Sequence, residues 1–176
     1  VPLIASSIMS KKIAGGAPAI VLDVKAGSGA FMKTTDQAIE LARTLVDIGT
    51  ELGRKTRALG TDMSQPLGRA VGNALEVEEA IRTLQGRGPR DLELLSTELA
   101  AHMVLLAGIE HDLDSARRVV GAALASGEAL DRFRCMVEAQ GGDARCLDDP
   151  SLLPRAPMIA DLPAPASGYV AGFDAQ

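Results

Sequence analysis

The strongest constraint on what this chain can fold into lies between Ala19 and Leu59. Ala19-Ile20-Val21-Leu22 is a short apolar run of the kind shown by a strand covered on both faces. Thr34 followed by Gln37 is the signature of a helix start in which side chains and backbone cap each other. Ala38, Leu41, Leu45, Ile48 and Leu52 then recur at helical spacing until Gly53 supplies a stop. Lys55 to Leu59 reads as a second strand. Strand, helix, strand in this order is a βαβ unit, which implies parallel pairing through a right-handed crossover. The expected fold class is α/β, a parallel βαβ core with flanking helices.

The residues on either side of the first strand carry the chemistry. A helix is expected from about Leu3 to Ala14, and it places Ile4, Ser7 and Lys11 at spacings of three and four on one face. That face combines apolar surface, a hydroxyl and an ammonium. The first strand ends in Asp23 and Lys25 and opens into Gly27-Ser28-Gly29, while Gly60-Thr61-Asp62-Met63 ends the second. Ligands of open α/β sheets collect at this carboxyl edge. The glycine turn by itself specifies no phosphate, because neither GxGxxG nor GxxxxGK[ST] is present. A Ser four residues before a Lys is, by itself, ordinary on a solvated helix.

Further along, Asn73 is expected to cap a helix from Ala74 to about Leu84, with Glu76 reaching back and Val77, Ala80, Ile81 and Leu84 as its buried stripe. Glu79 lies off that stripe. Gly86-Arg87-Gly88-Pro89 breaks the structure. Helices are expected over Asp91–Leu106, Ser115–Ala125 and Glu128–Ala139. His102 and His111 have no catalytic partner fixed nearby in sequence and read as structural. Prolines at 150, 154, 157, 163 and 165 mark a connecting stretch, with short strands expected over Pro157–Leu162 and Ser167–Phe173. The expected organisation is a helix of a helical lobe over 1–16, an α/β domain portion over 17–142, and a linker opening a β-rich C-terminal domain over 143–176.

Composition removes several function classes. A net charge of −5 argues against a nucleic-acid or membrane-surface partner, which would call for a basic patch. Aromatic content of 2% with no Trp argues against a platform for stacked bases. Cys135 and Cys146 lack metal-ligand spacing and read as free thiols of a reducing compartment. No signal-peptide pattern and no bilayer-length apolar run is present, so a cytoplasmic protein is expected.

The identity of the residues says more than their pattern. Ser7-Ile8-Met9-Ser10-Lys11-Lys12, Ala19-Ile20-Val21-Leu22-Asp23-Val24-Lys25, Gly27-Ser28-Gly29-Ala30-Phe31-Met32, Thr61-Asp62-Met63 and Gly72-Asn73-Ala74-Leu75-Glu76-Val77 closely resemble the thymidine and pyrimidine-nucleoside phosphorylase family. The resemblance runs ungapped from Val1 to at least Gly88 and more loosely to Gln176. Pro18 stands where the family commonly has Asp, and Ala26 where it commonly has Val. Gln65 to Asn73 looks more like the broad pyrimidine enzymes than the thymidine-restricted ones.

The resemblance implies a pentosyltransferase of nucleoside salvage, carrying out reversible phosphorolysis of thymidine or uridine to free base and pentose 1-phosphate. Inorganic phosphate would be the co-substrate and a homodimer built through helices the assembly. Lys11 would be the catalytic group, with Ser7 on the imide edge of the pyrimidine and Ile4 against its face. Potassium would be held by the carbonyls of Leu67 and Ala70 and the carboxylate of Glu79. Family members are more than twice as long and carry phosphate-binding loops and a pyrimidine-contacting Arg in a segment matching the region before Val1. The chain is thus expected to be an internal fragment with part of an active site, inactive alone. Two alternatives are an anthranilate-type phosphoribosyltransferase, which would need magnesium and a pyrophosphorylated sugar, and a non-catalytic self-association module. The Gly72–Val77 block favours the phosphorylase.

Overall fold

The computed structural model describes residues 1–174, so the last two residues of the expected 143–176 segment lie outside the described residues. The elements run α1 (Pro2–Ala14), β1 (Ala19–Ala26), α2 (Thr35–Glu51), β2 (Lys55–Asp62), α3 (Asn73–Leu84), α4 (Arg90–Leu106), α5 (Leu113–Ser126) and α6 (Glu128–Ala139), followed by two 3₁₀ turns at Ala144–Leu147 and Pro150–Leu152. They fall into two compact units. The first comprises residues 1–67 and 94–121 with Asp174, the second 68–93 and 122–173.

In the first unit, β1 and β2 pair in parallel, in a register running from Ala19 opposite Lys55 to Ala26 opposite Asp62. The α/β class and its parallel pairing are therefore as the sequence pattern implies. The second strand is three residues longer than its apolar pattern suggests. The ladder continues through Gly60–Asp62 because β1 supplies partners to Ala26, and the Met63 N–H still donates to the Ala26 carbonyl (2.7 Å). Ile20, Leu22 and Val24 on one face of β1 are buried with Ala38, Leu41 and Leu45 of α2 and with Ala5 and Met9 of α1. Each large apolar side chain removed from water here is worth about 1.5–3 kcal/mol. The entry to α2 is fixed as expected: Thr34 Oγ1 accepts from the Gln37 N–H (3.3 Å) and Gln37 Oε1 accepts from the Thr34 N–H (3.4 Å).

Charged groups tie the later helical residues of this unit to its sheet. Lys55 Nζ donates to the Leu106 carbonyl (3.3 Å), and an Arg57 guanidinium nitrogen lies 3.2 Å from His102 Nδ1. His102 Nε2 is 3.5 Å from Glu98, one helical turn earlier. Glu98 is also gripped by both fork nitrogens of Arg117 (2.7 and 2.8 Å), whose hydrogen bonds hold its carboxyl below the usual range. His102 is thus a partnered group between β2 and α4. Its carboxylate partner at the fourth residue back was present in the sequence spacing.

In the second unit, α3 begins one residue earlier than expected. Gly72, at φ +120°, is the capping position and Asn73 the first helical residue. Glu76 still reaches back, accepting from the Gly72 N–H (2.9 Å). Ile81 and Leu147 are buried, whereas Val77 is exposed, so the stripe is narrower than the spacing suggests. Arg134 of α6 makes a two-pronged pair with Asp148 (2.8 and 3.0 Å) and donates to the Ala144 carbonyl, pinning the 3₁₀ turn. The strands expected over Pro157–Leu162 and Ser167–Phe173 are not formed. A short apolar run makes no strand without a partner, and Met158, Ile159, Leu162 and Tyr169 all stand exposed.

Gly49, in the last turn of α2, is buried because Thr56 of β2 occupies the space where its Cβ would lie. An Ala for Gly exchange within a helix ordinarily stabilises by about 0.5–1 kcal/mol. Here overpacking reverses the sign, and Gly49→Ala is expected to lower stability by about 1–3 kcal/mol in chemical denaturation. An unchanged or raised midpoint would contradict this packing.

Candidate active site

α1 presents its predicted triad on one side. Ile4 is half-buried and counts among the apolar groups packed on the core, while Ser7 and Lys11 are exposed. Among the described residues neither the Ser7 hydroxyl nor the Lys11 ammonium has a side-chain partner, so both are available to a ligand. A cavity of about 380 Å³ adjoins α1. Ile4 lines it; Ser7 and Lys11 do not. Its wall also includes Ile8 and Lys12 of α1, Asp23 and Lys25 of β1, and Phe31, none of which was singled out as a site residue from sequence. The signal was available: Ile8 and Lys12 follow Ile4 at intervals of four, and Asp23 and Lys25 alternate on one strand face.

The carboxyl ends of the two strands are stitched together. The Gly29 N–H donates to the Met63 carbonyl (2.9 Å), Ser28 Oγ to the Ser64 carbonyl (3.2 Å) and Lys33 Nζ to the Ser28 carbonyl (2.7 Å). Gly27 is required at this crossing. Its φ is +128°, and a Cβ there would come within 2.6 Å of Ser64 Oγ. Asp62 accepts from both the hydroxyl (2.7 Å) and the N–H (3.0 Å) of Ser64, and these bonds hold its carboxyl below the usual range. On the same edge Thr61 Oγ1 donates to Asp23, whose other oxygen is 2.6 Å from Lys25 Nζ.

In the second unit a short loop is built on carboxylates. Glu79 accepts from the N–H groups of Arg69 (3.0 Å) and Ala70 (3.1 Å), and Asp91 from that of Gly68 (3.0 Å). Gly68 adopts φ +71°, and a Cβ on it would collide with the Glu79 carboxylate. Of the three residues singled out as cation ligands, Ala70 and Glu79 are therefore brought together here. Leu67 belongs to the first unit. Arg82 pairs with Glu78 rather than with Glu79, so Glu79 serves the loop and not its own helix face. No helix among the described residues is long and apolar enough to cross a membrane.

The family model described as "Glycosyl transferase family, a/b domain" matches residues 1–130. The chain belongs to that family. Within the glycosyl transferase family it is 57% identical over 170 residues to a pyrimidine-nucleoside phosphorylase of Geobacillus stearothermophilus and 55% identical over the same length to one of Bacillus subtilis (strain 168). A pyrimidine-nucleoside phosphorylase of Staphylococcus haemolyticus is 54% identical. In each case the match covers 97% of this chain and 39% of the relative, so the chain spans well under half the length of these proteins.

The carboxylate loop makes two measurable statements. In Glu79→Ala, amide hydrogen exchange at Arg69 and Ala70 is expected to accelerate by about tenfold, the value of one lost hydrogen bond to a charged acceptor. Unchanged protection would contradict the assignment. Asp91 is held below the ordinary aspartate range chiefly by the Gly68 N–H. A depressed folded pKa contributes stability above the unfolded value and loses it as pH falls through the folded one. Titrated by NMR, the Gly68 amide should therefore shift with a midpoint below that of a free aspartate; a midpoint at or above it would remove the bond from the account.

Proposed function

We propose that the enzyme containing this chain is a pyrimidine-nucleoside phosphorylase, transferring a pentose between a pyrimidine and inorganic phosphate. Thymidine and uridine are both substrates in this reading. The observation that carries it is the Ile4, Ser7, Lys11 face of α1, with Ile4 half-buried on the wall of a cavity and Ser7 and Lys11 exposed, within a chain more than half identical to enzymes of that name. The departing pyrimidine takes negative charge onto its ring. Lys11, whose ammonium has no competing partner among the described residues, is the group that meets that charge. An ammonium aimed at a pyrimidine carbonyl binds more strongly as charge grows there, which lowers the barrier rather than merely the binding energy. Ser7 orients the imide edge and Ile4 packs against the ring.

Potassium belongs to the same proposal, with Leu67, Ala70 and Glu79 as its ligands. The donor set suits a hard monovalent cation: two carbonyls and one carboxylate, all oxygen. Glu79 keeps lone pairs beyond those given to Arg69 and Ala70, and the carbonyls of Leu67 and Ala70 accept no hydrogen bond among the described residues. The cation would supply positive charge that fixes the loop. The working enzyme is read as a cytoplasmic homodimer of nucleoside salvage, with residues 1–16 in a helical lobe, 17–142 in the α/β domain and 143–176 leading into a C-terminal domain.

In the full-length enzyme Lys11→Ala is expected to lower kcat for thymidine and uridine by about 10²–10³-fold, the usual cost of one stabilising donor at a developing anion. Exchange of potassium for sodium should lower activity in the wild type and have no effect in Glu79→Ala. Full turnover in Lys11→Ala would refute the assignment of Lys11, and equal activity in both salts would refute the ion site.

A further inference from the structure

Asp23, Lys25 and Thr61 form a cluster that the base-binding face of α1 leaves unexplained. In the strand register Lys25 lies opposite Thr61, and Asp23 is two residues before Lys25, so all three side chains rise from the same sheet face at its carboxyl end. Asp23 is engaged through both oxygens, one by Thr61 Oγ1 and the other by Lys25 Nζ at 2.6 Å. The side chains of Lys25 and Asp23 are only 28% and 23% exposed. An ion pair this far removed from water pays a desolvation cost that a freely solvated pair avoids, and its own attraction is weak evidence of a stabilising role.

Both residues line the 380 Å³ cavity, on the β1 side of the same space that Ile4 and Ile8 border from α1. An ammonium has three donors. Asp23 takes one, and Lys25 has no other partner among the described residues. Each Asp23 oxygen likewise retains a lone pair. A donor and an acceptor held side by side at the carboxyl edge of a parallel sheet, on two residues that line a largely apolar cavity, match a ligand hydroxyl, which donates and accepts at once.

Resting on the phosphorylase reading, we propose that Lys25 and Asp23 bind the pentose of the substrate through a hydroxyl group, and that Thr61 is the positioning residue that holds Asp23 in place. Ile4, on the cavity wall, packs against the base as in that reading, and the ion pair reads the sugar. The pair is thus a specificity device: a site built to hydrogen-bond a hydroxyl rejects the analogue that lacks one, because its polar groups are then left unpaired.

The test uses the full-length enzyme with uridine and three analogues, each lacking the 2′, 3′ or 5′ hydroxyl. Lys25→Met is expected to lower kcat/KM for uridine by at least tenfold, with the KM for inorganic phosphate unchanged. For one of the three analogues the penalty of Lys25→Met should vanish, since the interaction is already absent. Lys25→Arg should recover part of the loss, and Thr61→Val should raise the KM for uridine with a smaller change in kcat. An equal penalty on uridine and all three analogues would overturn the proposal and leave the cluster a structural brace. A raised KM for phosphate alone would overturn it in favour of phosphate binding. Absence of phosphorolysis in the wild-type enzyme would instead defeat the underlying reading, so the two failures are distinct. Asp23→Asn, compared with the wild type by thermal unfolding, separates loss of fold from loss of sugar binding: a folded Asp23→Asn enzyme with an unchanged uridine KM also overturns the proposal.

Discussion

The structure depends on the packing of one helix across two parallel strands. Parallel strands cannot be joined by a tight turn, so the chain must leave the sheet and return, and α2 is the return path. Its buried residues Ala38, Leu41 and Leu45 cover Ile20, Leu22 and Val24. The contact is close enough that Gly49 has no room for a Cβ against Thr56. Once this crossover is set, the loops after β1 and β2 emerge side by side. Every polar group discussed at the carboxyl edge follows from that adjacency.

The edge then divides labour between glycine and polar side chains. Gly27 allows the loop after β1 to approach Ser64, and the backbone bonds from Gly29 and Met63 lock the two loops. Asp23, Thr61 and Lys25 stand on the strands just behind them. α1 brings Ile4 and Lys12 to the same cavity and leaves Ser7 and Lys11 exposed. The second unit repeats the logic in another form, with carboxylates from α3 and α4 gathering the three N–H groups of Gly68, Arg69 and Ala70. In both places a glycine at positive φ lets a side chain come where a Cβ would forbid it.

Much of this was legible from residues alone, for a physical reason. The Thr34–Gln37 cap and the α2 stripe are local signals, and they were met at the expected positions. The parallel pairing followed from the connection length. Local pattern failed where partners decide the outcome. Gly60–Asp62 became strand because β1 offered a ladder, while Pro157–Leu162 and Ser167–Phe173, expected as short strands, form none among the described residues. Gly72 displaced Asn73 as the cap through a backbone conformation that residue identity alone does not reveal. The cavity wall from β1 and the carboxylate loop were hidden for the same reason: Asp23 and Thr61 are 38 residues apart in sequence, and Gly68 and Asp91 are 23 apart.

The proposed transfer of a pentose to phosphate by the enzyme containing this chain is tested most directly by ³¹P NMR of the full-length enzyme with uridine and inorganic phosphate. The account expects the phosphate resonance to decline as a pentose 1-phosphate resonance grows in step with free uracil. Uracil released with free pentose and undiminished phosphate, or no uracil at all, would contradict it.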